Sequence, residues 1–462
     1  MQAQRDAFHS QLVETLEDQG GTGLARLLES AQAPDIAESF ELLDDADRSK
    51  VLFALPPHTA AEVIVTLDEA VRGDVVEDLD TESLTEIVSE LQPDDAADVL
   101  GELDEEEAGA ILGHLEATQS ETVGELMEYD ESTAGGIMTP DVVALEADAT
   151  VADAVEQVRQ ANPDEDLHRV YIVDADRKLV GLVPLRRMVT ANPTTRLIDI
   201  SIGEPISVYA DEDQEAVVQI IRKYDVTEAA VVDRHDRLIG RITHDDLLDV
   251  ADEEAAEDLY RMAGTDLAET ETSSTAAAAR IRLTWLLPCM IGMMGSASVL
   301  GVAQPHFDLT VFAAIVLFVP MIGAMSGSSG VQISMVIVRG FAMGDIGSLR
   351  LGRAIAREGR IALLMAPALG LASWALVTAF FPMFQEFFHS GGGVTDHSRI
   401  AIAVGAAMTT AIVGAAALGI AMPFCFRRLG FDPAIAAGPL VSTLNDLVSV
   451  SIYMMLAYVI AT

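Results

Sequence analysis

The sequence predicts a multidomain membrane protein: an N-terminal α-helical superhelix, a tandem α/β pair, a connecting helix and a five-helix α transmembrane domain. Three observations carry this reading. A leucine recurs every 12 residues from Leu43 to Leu115. A second, longer repeat follows between Tyr171 and Leu247. From Ala276 onward the chain is dominated by apolar runs long enough to cross a bilayer, whereas the part before it is strongly acidic.

The charge is unevenly placed. The 462 residues carry a net −45. From Ala276 onward ten arginines meet seven acids, a net +3, which leaves −48 on the preceding residues. Such a surface repels phosphate backbones, so no nucleic-acid partner is expected, but it attracts cations. Lysine is confined to Lys50, Lys178 and Lys223. Abundant acid with little lysine also suits concentrated salt, so part of the acidity serves solvation. Cys289 and Cys425 both fall in apolar runs, so no disulfide framework is expected. The first twenty residues contain no apolar core, so no signal peptide is expected. The nine histidines are scattered, and neither a His-Glu-x-x-His nor a Gly-x-x-x-x-Gly-Lys pattern occurs. An enzyme is therefore not expected.

Residues 1–130 form the first region. Leu43, Leu55, Leu67, Leu79, Leu91, Leu103 and Leu115 are mostly followed by Asp, Glu or Pro, and the stretches between read as helices, such as "AAEVIVTL" and "DDAADVLGEL". Each unit is one short helix and a turn whose acid or proline starts the next helix. One unit cannot bury its own apolar face, so stacked units should build a helical superhelix.

Residues 131–200 and 201–250 form the tandem pair. "YIVDADRKLVGLVPLRRM" (Tyr171 to Met188) matches "AVVDRHDRLIGRITHDDL" (Ala230 to Leu247). Asp174 pairs with Asp233, Leu179 with Leu238 and Gly181 with Gly240, at one constant offset. Each copy reads as strand, polar turn, strand and helix start, preceded by a helix. This is similar to a tandem pair of cystathionine-β-synthase (CBS) domains, α/β modules that sense small ligands. The connecting helix is expected from about Asp245 to Met262, ending at Gly264, within a segment 245–270. "TETSSTAAAA" (Thr270 to Ala279) reads as a linker.

Residues 276–462 hold five expected spans: 283–302, 309–336, 360–382, 399–425 and 433–460. Arg280 and Arg282, then Arg339, Arg350, Arg353, Arg357 and Arg360, then Arg427 and Arg428 all fall on one side, and Arg399 alone on the other. The positive-inside rule then places the soluble part in the cytoplasm and the C-terminus outside, in a multi-pass plasma-membrane protein.

One carboxylate, Asp446, stands mid-span in "GPLVSTLNDLVSVSIYMML". A charge there costs roughly 2.5–3.5 kcal/mol on insertion scales. It reads either as a pore residue or as a protonated acid among packing glycines. Pro320, Pro433 and Pro439, with Gly327, Gly330 and Gly438, are expected to loosen helical hydrogen bonding nearby. In the soluble part, Asp246, Asp249, Glu253 and Glu257 share a helix face, flanked by Glu254 and Asp258. Asp94 and Asp98 form an i, i+4 pair after Pro93, where acids also suit a helix N-terminus. "THDD" suits either a nucleotide-holding turn, with Thr243 for a phosphate and Asp246 for sugar hydroxyls, or a helix N-cap.

Taken in order, the helical repeat, CBS pair, connecting helix and five spans resemble the MgtE family of magnesium channels. Four stretches carry the resemblance: "YDESTAGGIMTPDVVAL" (Tyr129 to Leu145), Lys223 to Gly264, "PMIGAMSGSSGVQ" (Pro320 to Gln332) and "DPAIAAGPLVSTLND" (Asp432 to Asp446). The resemblance implies a homodimer in the lipid bilayer with Asp446 lining the pore against its counterpart. Ser328, Gln332, Gly438 and Asn445 are further pore candidates. It also implies that regulatory Mg2+ binds among Asp94, Asp98, Asp213, Glu215, Asp225, Asp246, Asp249, Glu254, Glu257 and Asp258. ATP is a candidate modulator through the CBS pair. The family usually carries Asn within a Gly-Asn-x-Gly-x-Gln pattern, and here that position is Ser328 in "GSSGVQ". Mg2+ is the expected ion, with Co2+ or Mn2+ as the alternative cargo and a nucleotide sensor without transport as the alternative function.

Overall fold

The computed structural model describes residues 2–17, 21–160, 167–203, 205–269, 274–342, 349–388 and 397–461. The chain divides into two compact units, Met1–Asp252 and Glu253–Thr462.

The first unit opens with ten helices among the described residues: α1 (Gln2–Glu17), α2 (Gly21–Leu28), α3 (Ala33–Phe40), α4 (Asp45–Ala54), α5 (Pro57–Thr66), α6 (Glu69–Asp78), α7 (Thr81–Val88), α8 (Pro93–Gly101), α9 (Glu105–Leu112) and α10 (Ala117–Leu126). From α3 to α10 each helix begins 12 residues after the last. The repeating leucine is the reason. It falls at the end of each helix, and all seven of these leucines lie in or against one core with Ile36, Phe40, Val63, Ile64, Val88 and Leu100. The acid or proline beyond it opens the next helix: Asp44, Asp80 and Asp104 accept hydrogen bonds from the first-turn amides Asp47, Ser83 and Glu107, and Pro57 and Pro93 take the first helical position.

The tandem pair repeats one hairpin twice. β1 (Ala144–Glu146), α11 (Val151–Gln160), β2 (Arg169–Val173), β3 (Leu179–Pro184) and α12 (Leu185–Thr190) make the first copy. β4 (Ser207–Tyr209), α13 (Gln214–Tyr224), β5 (Ala229–Val232) and β6 (Leu238–Ile242) make the second. Each sheet has one parallel and one antiparallel pairing, in the order β1-β2-β3 and β4-β5-β6. Both copies carry a register irregularity at the same place, Ile172/Val173 and Val231/Val232. Both turns are built alike. Asp174 Oδ1 accepts from the amides of Asp176 and Lys178, and Asp233 Oδ1 from those of His235 and Arg237. Arg177 and Asp236, at matching positions, take positive φ of 63° and 62°. The matched aspartates thus serve the turns. The two hairpins share a core of Tyr171, Val173, Leu182, Ala230 and Leu238. Beneath it Glu228 accepts the Tyr171 hydroxyl at 2.9 Å and lies 3.6 Å from Arg169 and 3.8 Å from Arg241.

The connecting helix α14 runs His244–Ala263, and Gly264 closes it at φ 83°. The sequence places this helix from about Asp245 to Met262. The border between the two units falls inside it, after Asp252. Residues 270–273 of the expected linker lie outside the described residues, but its second half is helical: Ser274 caps α15 by accepting from the Ala277 amide, and four alanines follow. Small residues here propagate a helix.

Five helices, among the described residues, are long and apolar enough to cross a membrane. They are built from α15 (Thr275–Ala303), α16 and α17 (Leu309–Val316 and Val319–Ala342), α18 (Leu349–Phe388), α19 (His397–Arg428) and α20 (Pro439–Ala461). Each runs beyond the expected span or is broken within it. The second breaks at Leu317 and Phe318, and the fifth begins as a 3-10 turn, Pro433–Ala437, before α20. Pro320 and Pro439 sit at helix starts, where no amide donor is lost, so the loosening expected of them falls on the 3-10 turn instead. The side chain of Arg350, counted for orientation, lies outside the described residues. Helix α19 is central: Ala401, Val404, Ala407, Met408, Ala411 and Ile412 are buried against Ile322, Ala366, Tyr453 and Met454.

Candidate functional site

Helix α20 carries Asp446 to a face of α17 that has no side chains. A Cβ added at Gly323 would stand 3.0 Å from Asp446 Oδ1. At Gly327, one turn on, it would stand 3.2 Å from Ser442 Oγ and 3.9 Å from Asp446 Oδ1. The carboxylate's close approach to α17 therefore depends on Gly323, whereas a Cβ at Gly327 would press on Ser442 and stand in ordinary contact with the carboxylate. It is half-buried, while Ser328 and Gln332 are exposed, along with Ala324, Met325 and Met335. Residues at 324/325, 328, 332 and 335 share one helical face, which this chain leaves uncovered.

Two pore candidates, Asn445 and Gly438, are buried within this chain. Asn445 is fully enclosed, and neither its Oδ1 nor its Nδ2 has a hydrogen-bond partner. One residue is about 100° of helix, so the turn that brings Asp446 to one face carries Asn445 into the bundle. Gly438 is buried as well, and a Cβ there would lie 2.9 Å from the Met262 carbonyl oxygen and 3.1 Å from that of Arg261. It meets the end of α14.

The first unit gathers acids between the superhelix and the second CBS copy. Ala97, Leu126 and Tyr129 pack with Val217, Val231, Ile242 and Leu247, so α8 lies beside the start of α14. Burial pushes Asp94 up to about 7, with the Asp95 and Asp246 charges adding to it. Burial likewise raises Asp95 to about 6, with Asp98 and Asp246 adding and Arg72 opposing. Asp98 rises to about 7 chiefly by desolvation, opposed by Arg72 and helped by Asp94, Glu131 and Asp246, although its side chain keeps solvent access. Asp246 and Asp249 are raised, by burial first. Asp94 Oδ1 is buried without a hydrogen-bond partner. Crowded carboxylates and an orphaned oxygen suit a divalent cation. Among the described residues no three Asp, Glu, His or Cys side chains converge closely enough to grip a bare ion.

Other expected residues have structural partners. Asp213 caps α13 by accepting from the Glu215 amide at 2.9 Å, and Asp225 ends that helix in the left-handed conformation at φ 53°. Thr243 and Asp246 form a helix-start box: the Thr243 amide donates to Asp246 Oδ2 at 3.1 Å, and its hydroxyl donates to the same oxygen. This is the geometry of a helix N-cap. In the second unit, Asp258 is raised to about 6 by burial, then by Asp432 and Glu254. Glu257 pairs with Arg261, whose guanidinium also reaches Asp432. Sequence reasoning took Asp95 only as a helix-start acid and passed over Arg261, Gly323 and Ser442. Arg261 had a signal, being the lone Arg or Lys in an acidic helix.

An acid-lined helical superhelix, a CBS pair and apolar helices holding a mid-span carboxylate define a membrane transporter class for divalent cations. The comparisons with known proteins agree. A family model described as "Divalent cation transporter" matches residues 319–456. The MgtE intracellular N domain matches 31–132, and CBS domains match 134–193 and 197–253. The chain belongs to the MgtE family. The "Magnesium transporter MgtE" of Enterococcus faecalis is 35% identical over 339 residues, covering 72% of this chain and 70% of that protein. That of Thermus thermophilus is 32% identical over 338 residues, covering 72% and 71%. A solved cytosolic domain of the Mg2+ channel MgtE in complex with ATP is 33% identical, with a TM-score of 0.50, over 52% of this chain and 99% of that one. The family is one of transporters, not enzymes.

Proposed function

We propose that the chain is a Mg2+-selective channel that imports Mg2+ across the plasma membrane as a homodimer. The observation that carries this is the Asp446 carboxylate, held mid-helix against Gly323 and Gly327 beside the uncovered Ser328 and Gln332 face. A second copy seated on that face brings two carboxylates together, a charge of −2 for one divalent ion. Hydrated Mg2+ presents waters that carboxylates and carbonyls accept from. The soluble part and most arginines lie in the cytoplasm, and the C-terminus lies outside.

Gating is by cytosolic Mg2+ held among the superhelix, the CBS pair and the connecting helix. Asp94, Asp95, Asp98 and Asp246 repel one another when bare, and a hydrated cation relieves that repulsion. The bound form draws α8 and α14 together and favours closure, so that the transported ion limits its own entry. ATP acts as a modulator, a reading supported by the relative crystallised with it.

The test is ion flux in liposomes with Mg2+ varied on the soluble-domain side. The parent conducts and is suppressed by high Mg2+, and Asp446→Asn abolishes conduction. Flux retained in Asp446→Asn removes the pore assignment; flux indifferent to Mg2+ removes the sensing one. Ser328, where the family usually has Asn, supports a second reading, a channel for another divalent ion such as Co2+ or Mn2+. Competition between ions in the same liposomes separates the two.

A further inference from the structure

The end of α14 is seated on the start of the fifth membrane-spanning segment, and a single guanidinium joins them. Met262 packs with Val338, Ala434 and Ala437. Gly438 lies beneath the carbonyls of Arg261 and Met262 with no room for a side chain, and a Cβ on Gly264 would collide with the Pro439 ring. At this seat Arg261 Nη2 meets Glu257 and Nη1 meets Asp432 Oδ2, with all three side chains about three-quarters buried. The other Asp432 oxygen accepts from the Ala434 amide at 2.7 Å and so caps the 3-10 turn that leads into α20. Asp432 thus holds both the turn and the guanidinium. Burial opposes the Arg261 charge, but Asp432 and Glu257 outweigh it. Glu254 and Asp258 add further negative charge around the same point.

We propose that Arg261 is a built-in cation that locks the connecting helix onto the start of the fifth span by bridging Glu257 and Asp432, so that this seat stands without a divalent ion. Carboxylates this close on two elements would otherwise repel, and something positive must stand between them. A tethered guanidinium does so in a fork geometry and never loses its charge. Arg261 is then a positioning residue. It fixes Asp432, the turn 433–437 and the first turn of the helix that carries Asp446. Its effect on gating rests on the proposed channel function, whereas the seat itself does not.

The experiment uses the full chain in detergent or nanodiscs, with Cys289→Ala and Cys425→Ala as background. Met262→Cys and Ala437→Cys report the seat by disulfide yield, in chelator and in millimolar Mg2+. With Arg261 present, the yield is the same in both. Arg261→Gln lowers the yield in chelator by about fivefold or more, the loss expected of one largely buried ion pair, and Mg2+ restores it. Arg261→Lys keeps much of the parent yield, which shows that charge and not misfolding is at issue. An undiminished yield for Arg261→Gln in chelator overturns the proposal. So does a parent yield that requires Mg2+. Flux is read in parallel: Arg261→Gln departs from the parent at low soluble-side Mg2+, where its seat is lost, and is suppressed as the parent is at high Mg2+, where the ion restores the seat. If no variant conducts Mg2+, the channel reading fails while the disulfide result still decides the seat.

Discussion

The Asp446 carboxylate rests on bare backbone: a Cβ added at Gly323 would stand 3.0 Å from its Oδ1. The relation makes two residues on different helices act together. An alanine at Gly323 fills the space the carboxylate needs. Overpacking of this kind costs about 1–3 kcal/mol. Gly323→Ala should therefore fold with slightly lowered thermal stability but conduct severalfold less Mg2+ in liposome flux. Normal flux would mean that the carboxylate position is not set by α17.

Glu228 joins two strands of different CBS copies through Tyr171, Arg169 and Arg241. Glu228→Leu leaves two guanidiniums facing an apolar side chain. Loss of one partner from a buried network costs about 3–5 kcal/mol. The expected outcome is a large drop in the thermal unfolding midpoint of the soluble part, measured on the full chain. A shift within error would show that water replaces the lost carboxylate.

Asn445 is enclosed with both amide atoms unpartnered. Leucine is similar in size and needs no partner. Asn445→Leu should keep or raise stability, by up to about 1–3 kcal/mol, and keep Mg2+ flux. Flux lost at unchanged stability would return Asn445 to the pore.

The acids of α8 give a pH dependence with a definite sign. Asp94 and Asp95 are raised from 3.8 to about 7 and about 6. The folded protein thus holds protons that the unfolded chain has released, and stability falls as pH rises between those values. The contribution is complete below the unfolded value and is lost as pH passes about 6 to 7. Acids held low by hydrogen bonds, such as Asp80 at a helix start and Asp130 in a turn, act in the opposite direction elsewhere. A local probe is therefore needed. Protection factors in α8 and the first turns of α14, which compare each rate with the intrinsic base-catalysed rate at the same pH, should fall from about pH 5 to pH 8 in chelator. Added Mg2+ at the higher pH should raise them again. Protection independent of both would detach these acids from cation sensing.

Much of this architecture is legible in the residues, for reasons that differ by region. The superhelix is readable because its leucine and its helix-starting acid recur at one fixed step, so a local signal repeats until it is unmistakable. The hairpins are readable because Asp174 and Asp233 each tie a turn that the neighbouring residues also favour. The connecting helix ends at Gly264 because that position needs positive φ. The span boundaries were less legible. Apolar composition marks what lies in hydrocarbon, whereas helices continue into flanking polar residues, as α18 and α19 do.

The candidate site was legible as a set of residue types, not as a set of neighbours. Thr243 and Asp246 suited a ligand or a cap equally until the backbone placed one across from the other's amide. Asp213 and Asp225 read as acids for an ion, yet they begin and end α13. Asn445 and Asp446 are adjacent in sequence and opposite in environment.

By itself the sequence determined the order of the parts, the membrane segments and the one acid stranded among apolar residues. These follow from periodicity and composition, which are local properties of a chain. Only the tertiary structure decided which glycines face that acid, which aspartates crowd at α8, and that Arg261 stands between Glu257 and Asp432. Those are distances between residues far apart in the chain, fixed by how helices pack, and no local pattern encodes them.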